Sequence, residues 1–171
     1  MANDENAHTM GMPAPDPALG RLEQLVGRWD IKGRTLDSKD DNITGRVSIE
    51  WLPGGFFLQQ RGEMEFMGFK VQSLEVVGYD PATKAFTSTV YSNMAGVPAA
   101  YWWDVQGNIV THWTAGSKYT GTFSEDGSIL SGGWRPEEGK EGPENAAYDA
   151  IMIRVEASED VSDARDARDA R

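Results

Sequence analysis

Residues 99–134 read AAYWWDVQGNIVTHWTAGSKYTGTFSEDGSILSGGW, and the alternation within them decides the fold. Tyr101, Trp103 and Val105 share one parity and Asp104 the other. Tyr119, Gly121 and Phe123 oppose Lys118 and Thr120, and Leu130, Gly132 and Trp134 form a third such set. A period of two with one apolar and one wet face is the pattern of a half-buried strand. Gln106-Gly107-Asn108, Gly116-Ser117 and Asp126-Gly127 punctuate the run with turn chemistry. The stretch is therefore a chain of hairpins.

Working outward, the same pattern holds in both directions. GRWDIKGRTLD (27–37) sets Trp29 and Ile31 against Arg28, Asp30 and Lys32, and ITGRVSIEWL (43–52) sets Val47, Ile49 and Trp51 against Arg46, Ser48 and Glu50. FFLQQRGEMEF (56–66) sets Leu58, Gln60, Gly62 and Met64 against Gln59, Arg61, Glu63 and Glu65, and of these Glu63 and Glu65 read as solvated. Further strands are expected over 71–79, 85–92, 99–105, 109–115, 118–123, 128–134 and 148–155. Pro53-Gly54-Gly55 and Asp80-Pro81-Ala82-Thr83 supply two more turns. Short strands at about 8–12-residue spacing predict an all-β fold, an antiparallel up-and-down barrel of about ten strands. Closure would remove the exposed edges of such a sheet. One helix precedes it: residues 18–26 place Leu19, Leu22, Leu25 and Val26 on one side, with Asp16 as cap, Pro17 at the first position and Gly27 as terminator. It is expected to cover one barrel end.

The organisation read from this pattern is a flexible leader over 1–17, the barrel domain over 18–156 and a disordered charged tail over 157–171 that ends DARDARDAR. The loop 136–146 reads as mobile and 93–98 as a lip at the barrel mouth. The chain has 171 residues, 39% hydrophobic and 25% charged, enough for one buried core. It has no cysteine, which excludes a disulfide scaffold, a thiolate metal site and a cysteine nucleophile. The net charge is -11, of which the leader contributes -3 and the tail -2. An acidic body repels phosphate backbones and speaks against nucleic-acid binding. No basic n-region and no run near the roughly 18 apolar residues of a spanning helix appears, so a cytoplasmic protein without membrane partner is expected. A homodimer is compatible with the reading.

Gly27-x-Trp29 at the head of the first strand and Arg154 near the end of the last resemble the calycin superfamily, the lipocalins in particular. That resemblance implies that Trp29 closes one barrel end and that Arg154 packs across its ring. LPGGFFLQQRGEM (52–64), GYDPATKAF (78–86) and KYTGTFSEDGSILSGGW (118–134) look more specifically like a family of uncharacterised bacterial lipocalin-like proteins, over about residues 20–155. No activity travels with that resemblance. The neighbouring nitrobindins hold haem through a histidine late in the barrel, but their first strand departs from the GRWDIKGRTL of this chain.

Chemistry-bearing residues are sparse. There are two histidines. His8 lies in the leader, and His112 sits on a strand whose inward parity the sequence leaves open. A lone strand histidine cannot build a zinc site, which needs three or four ligands. Glu75 shares a face with Val77 and Tyr79, but Leu74, Val76 and Gly78 make the other face as apolar. The favoured reading points its carboxylate to water. Turned inward it would need an arginine or a raised pKa, and would then be a candidate general base. Neither a nucleophile elbow nor a phosphate-binding loop is present. The aromatic residues give the strongest pocket signal. Tyr101, Trp103, Tyr119 and Trp134 are expected to line a cavity together with Gln60, Tyr91 and His112, and the inward glycines are expected to leave it space. The expected function is a binding barrel for a small hydrophobic or amphipathic molecule, without metal or other cofactor. An enzyme using an interior Glu or His, a solid-core interaction protein and nitrobindin-like haem binding are the alternatives.

Overall fold

The structure, a computed structural model, describes residue 11 and residues 13–155. Ten strands follow in chain order: β1 (Gly27–Thr35), β2 (Ile43–Trp51), β3 (Leu58–Phe66), β4 (Phe69–Asp80), β5 (Ala85–Ser92), β6 (Ala99–Gln106), β7 (Ile109–Trp113), β8 (Ser117–Phe123), β9 (Ile129–Pro136) and β10 (Tyr148–Val155). Each pairs antiparallel with the next, and β1 also pairs with β10, with Trp29 opposite Arg154, so the sheet closes on itself. This is the expected up-and-down barrel. The charged tail over 157–171 and the leader's residues 1–10 and 12 lie outside the described residues. No described helix is long and apolar enough to cross a membrane.

The helix before β1 is a 3₁₀ helix, Pro17–Leu25, capped by Asp16, whose Oδ1 accepts from the Ala18 amide at 2.8 Å. Its Leu19, Leu22 and Leu25 are buried. They pack with Trp29, Val105 and Phe123 in the core cluster. Each such side chain contributes about 1.5–3 kcal/mol by leaving water. The helix covers the barrel end that carries the connectors 52–57, 81–84, 107–108 and 124–128. Gln24 Nε2 donates to the Gly107 carbonyl, and Trp51 Nε1 donates to the Glu23 carboxylate.

Arg154 fastens this end. Its guanidinium lies 4.1 Å from the Trp29 ring centroid and donates to the carbonyls of Gln24, Val26 and Gly127. Trp29 Nε1 in turn donates to the Leu25 carbonyl at 2.9 Å. Gly27 has φ +138, and a Cβ there would strike the Arg154 guanidinium. The Gly-x-Trp pattern thus has two physical reasons, a backbone conformation that disfavours side chains and a close approach.

The opposite end carries the connectors 36–42, 67–68, 93–98, 114–116 and 137–147. The segment expected to form a lip, 93–98, is at this mouth. The loop read as mobile is an exposed connector that holds a short 3₁₀ turn, Pro143–Asn145.

Candidate functional site

The barrel is hollow between these ends. A cavity of about 220 Å³ is bounded by residues of all ten strands. Apolar side chains such as Ile31, Val47, Val90, Val110 and Met152 form much of its wall. Its polar part is built by register. Gln60 on β3 stands directly opposite Glu75 on β4, and Trp103 on β6 stands opposite His112 on β7. Ser88 on β5 comes from the same inward parity as Phe86 and Val90.

These side chains meet at the Glu75 carboxylate, whose residue is 2% exposed. Ser88 Oγ donates to Oε1 at 2.5 Å and Trp103 Nε1 donates to the same atom at 2.7 Å. Gln60 Nε2 donates to Oε2 at 3.2 Å. His112 Nε2 lies 3.1 Å from Oε1, but it is buried and makes no well-directed hydrogen bond. Ser88 and Trp103 donate to that same oxygen. The contact is electrostatic rather than a formed hydrogen bond. His112 is held in place by rings instead. It stacks on Trp103 at 3.8 Å and 16°, with Tyr101 at 4.9 Å and Trp134 at 5.1 Å.

Burial pushes the Glu75 carboxyl up, but the charge of His112 beside it and the bonds to its oxygens outweigh this and hold it below its ordinary 4.5. Glu75 is therefore an ionised carboxylate inside a largely apolar barrel. Burial, with the Glu75 charge as a second cause, pushes the Tyr101 phenol up. Burial also pushes up Tyr119 and Tyr148. All three stay neutral and can donate. No lysine or arginine lines the cavity among the described residues, and no cluster of three metal-ligating groups is present among them.

Six residues expected from the sequence line this cavity: Gln60, Tyr101, Trp103, His112, Tyr119 and Trp134. Tyr91 does not. It lies on the outer face of β5, 51% exposed and opposite Leu74, because Phe86, Ser88 and Val90 take the inward parity. Glu75 corrects the expectation that it points to water. It is inside, its partner is a histidine and not an arginine, and its pKa moves down and not up. The inward glycines are corrected as well. A Cβ at Gly121 or Gly132 would collide with the Tyr119 phenol, so these two glycines make a slot for that ring. Gly62 does border the cavity. Ser88 and Tyr148 were missed. For Ser88 the only sequence signal was weak, since AFTSTVYS has small polar residues on both faces.

The crystal structure of Rv2717c from M. tuberculosis matches with a TM-score of 0.55 at 12% identity, over 82% of this chain and 99% of that one. At that identity the likeness shows the barrel alone. No curated protein matches the chain. The model of one family, described as "Protein of unknown function (DUF1579)", matches residues 14–125. That span runs from the cap of the 3₁₀ helix through β8 and holds Gln60, Glu75, Ser88, Trp103 and His112, so the chain belongs to this family of proteins of unknown function.

Proposed function

We propose that this chain is a lipocalin-like binding protein that encloses a small, largely apolar molecule inside its barrel. The observation that carries the reading is the cavity itself. A barrel of this kind either fills its interior with side chains or holds one small ligand, and here about 220 Å³ is left open. A cavity of about 150 Å³ accommodates benzene. By proportion this one suits a molecule of about nine non-hydrogen atoms. Enclosing such a ligand removes about 250 Å² of its apolar surface from water, roughly 6 kcal/mol, which corresponds to dissociation constants in the tens of micromolar.

Titration with propylbenzene, read through the fluorescence of the cavity tryptophans Trp103 and Trp134, is expected to saturate in that range. Trp103→Ala weakens it, and Ala150→Leu, which inserts a larger side chain into the cavity wall, abolishes it. Absence of saturation in the unmodified chain would overturn the reading. A second reading, an acid–base enzyme acting on the enclosed molecule, is favoured by the meeting of Glu75 and His112. It requires that His112→Gln retain binding and lose turnover. A haem, with roughly forty non-hydrogen atoms, exceeds this volume several-fold by the same proportion. A Soret band on haem addition that disappears in His112→Ala would reinstate it.

A further inference from the structure

We propose that the polar end of the cavity selects its ligand by a neutral hydroxyl donor, that of a phenol or small alcohol, and excludes carboxylates. The inference rests on the barrel being a ligand binder and names the class of ligand. Glu75 lines the cavity, and its side chain is 3% exposed. An ionised carboxylate has about four acceptor positions. The two on Oε1 are taken by Ser88 and Trp103, while Oε2 receives only Gln60, at 3.2 Å. One acceptor position on Oε2 is left over, at the edge of a space with apolar walls.

The surroundings decide what can use that position. A carboxylate ligand needs a cationic partner, and no lysine or arginine lines the cavity among the described residues. His112 is the one other wall residue there able to carry positive charge, and its Nε2 is already 3.1 Å from Glu75. An anionic head group would therefore face a fixed like charge in a poorly screened interior. An ammonium would have to give up its water for a single free lone pair, on a carboxylate whose charge His112 already faces. A hydroxyl donates one hydrogen, and that matches one free acceptor position. Its own oxygen can accept from the neutral phenol of Tyr101, which lines the cavity and feels the Glu75 charge.

The test is calorimetric titration of the full chain at pH 7.5 with ethylbenzene, 4-ethylphenol, 4-ethylbenzoate and 4-ethylbenzylamine, which share one apolar body. The expected order has 4-ethylphenol about tenfold or more tighter than ethylbenzene, as a bond to a charged acceptor allows, with 4-ethylbenzoate showing no binding. Glu75→Gln is expected to erase the preference for the phenol and admit the benzoate. Should that variant fail to fold, the order in the unmodified chain decides alone. Equal affinity for ethylbenzene, phenol and benzoate would overturn the inference and leave the binding barrel standing. Tightest binding of the benzoate or the benzylamine would overturn it in favour of that head group. Binding of none would remove the binding reading itself.

Discussion

Glu75 is a buried charge around which four side chains are arranged, so removing it strands all of them. In Glu75→Ala, Ser88, Trp103 and Gln60 lose their common acceptor and His112 loses the carboxylate beside its Nε2. Breaking a buried pair in this way costs about 3–5 kcal/mol. The pH dependence follows from the direction of its pKa. A carboxyl held below its ordinary 4.5 in the folded state contributes stability that is fully present above that value and is lost as pH falls through the depressed one. Urea denaturation at neutral pH is expected to separate Glu75→Ala widely from the unmodified chain, and the gap should close progressively below pH ~4.5. A gap that stays constant down to acid pH would show that Glu75 is not ionised in the fold. Legibility at this scale was uneven for a simple reason. Asp104 and Lys118 fix the parity of β6 and β8, because a charge on one face announces which side is wet. In β4 the outer Leu74 and Val76 match the inner Glu75 and Val77 in apolarity only if the charge is ignored, and heeding it gave the wrong face. In β5 no charge marks a face, so the expectation that Tyr91 lines the cavity chose the face opposite Ser88 and Val90.

The 3₁₀ helix and the strand pair β1–β10 act as one closing element. Leu19, Leu22 and Leu25 recur at intervals of three, and all are buried. A period of three is that of a 3₁₀ helix, whose side chains at i and i+3 eclipse. The sequence carried this signal, and it was read as ordinary helical spacing. Leu22 is 0% exposed, so Leu22→Ala is expected to cost about 2–5 kcal/mol, seen as a lowered midpoint with an unchanged denaturant slope. A cost below about 1 kcal/mol would show that the helix is not part of the cooperative unit. The Trp29–Arg154 contact was expected only through the resemblance that Gly27-x-Trp29 and the late Arg154 carry, and the structure contains it. What the sequence could not show is that Arg154 also ties the carbonyls of Gln24, Val26 and Gly127. Trp29→Ala is expected to cost about 3–5 kcal/mol. Arg154→Ala should cost less, and the double variant should fall short of the sum, since each single change already breaks the shared contact. Strict additivity would separate the two residues energetically.

At the scale of the whole molecule the barrel follows from hairpin spacing, because strands joined in strict order by short turns leave closure as the way to remove two edges. The hollow does not follow from it. Whether side chains fill a closed ring depends on where each inward ring lies, and Tyr119 lies over Gly121 of its own strand and Gly132 of the adjacent β9. An apolar void has a mechanical consequence. Unfolding eliminates it, and the volume change on unfolding scales with the void lost, within about 20–100 mL/mol for proteins generally. With about 220 Å³ inside one small barrel, this chain should lie toward the upper part of that range and unfold readily under pressure. Ala150→Leu places a larger side chain against this cavity from β10. Filling a void without strain stabilises by about 0.5–2 kcal/mol, and here it should also make the volume change smaller. High-pressure fluorescence on both chains checks the two effects together. If Ala150→Leu destabilises and leaves the volume change untouched, the space is not an empty void in solution, and the binding reading loses the observation that carries it.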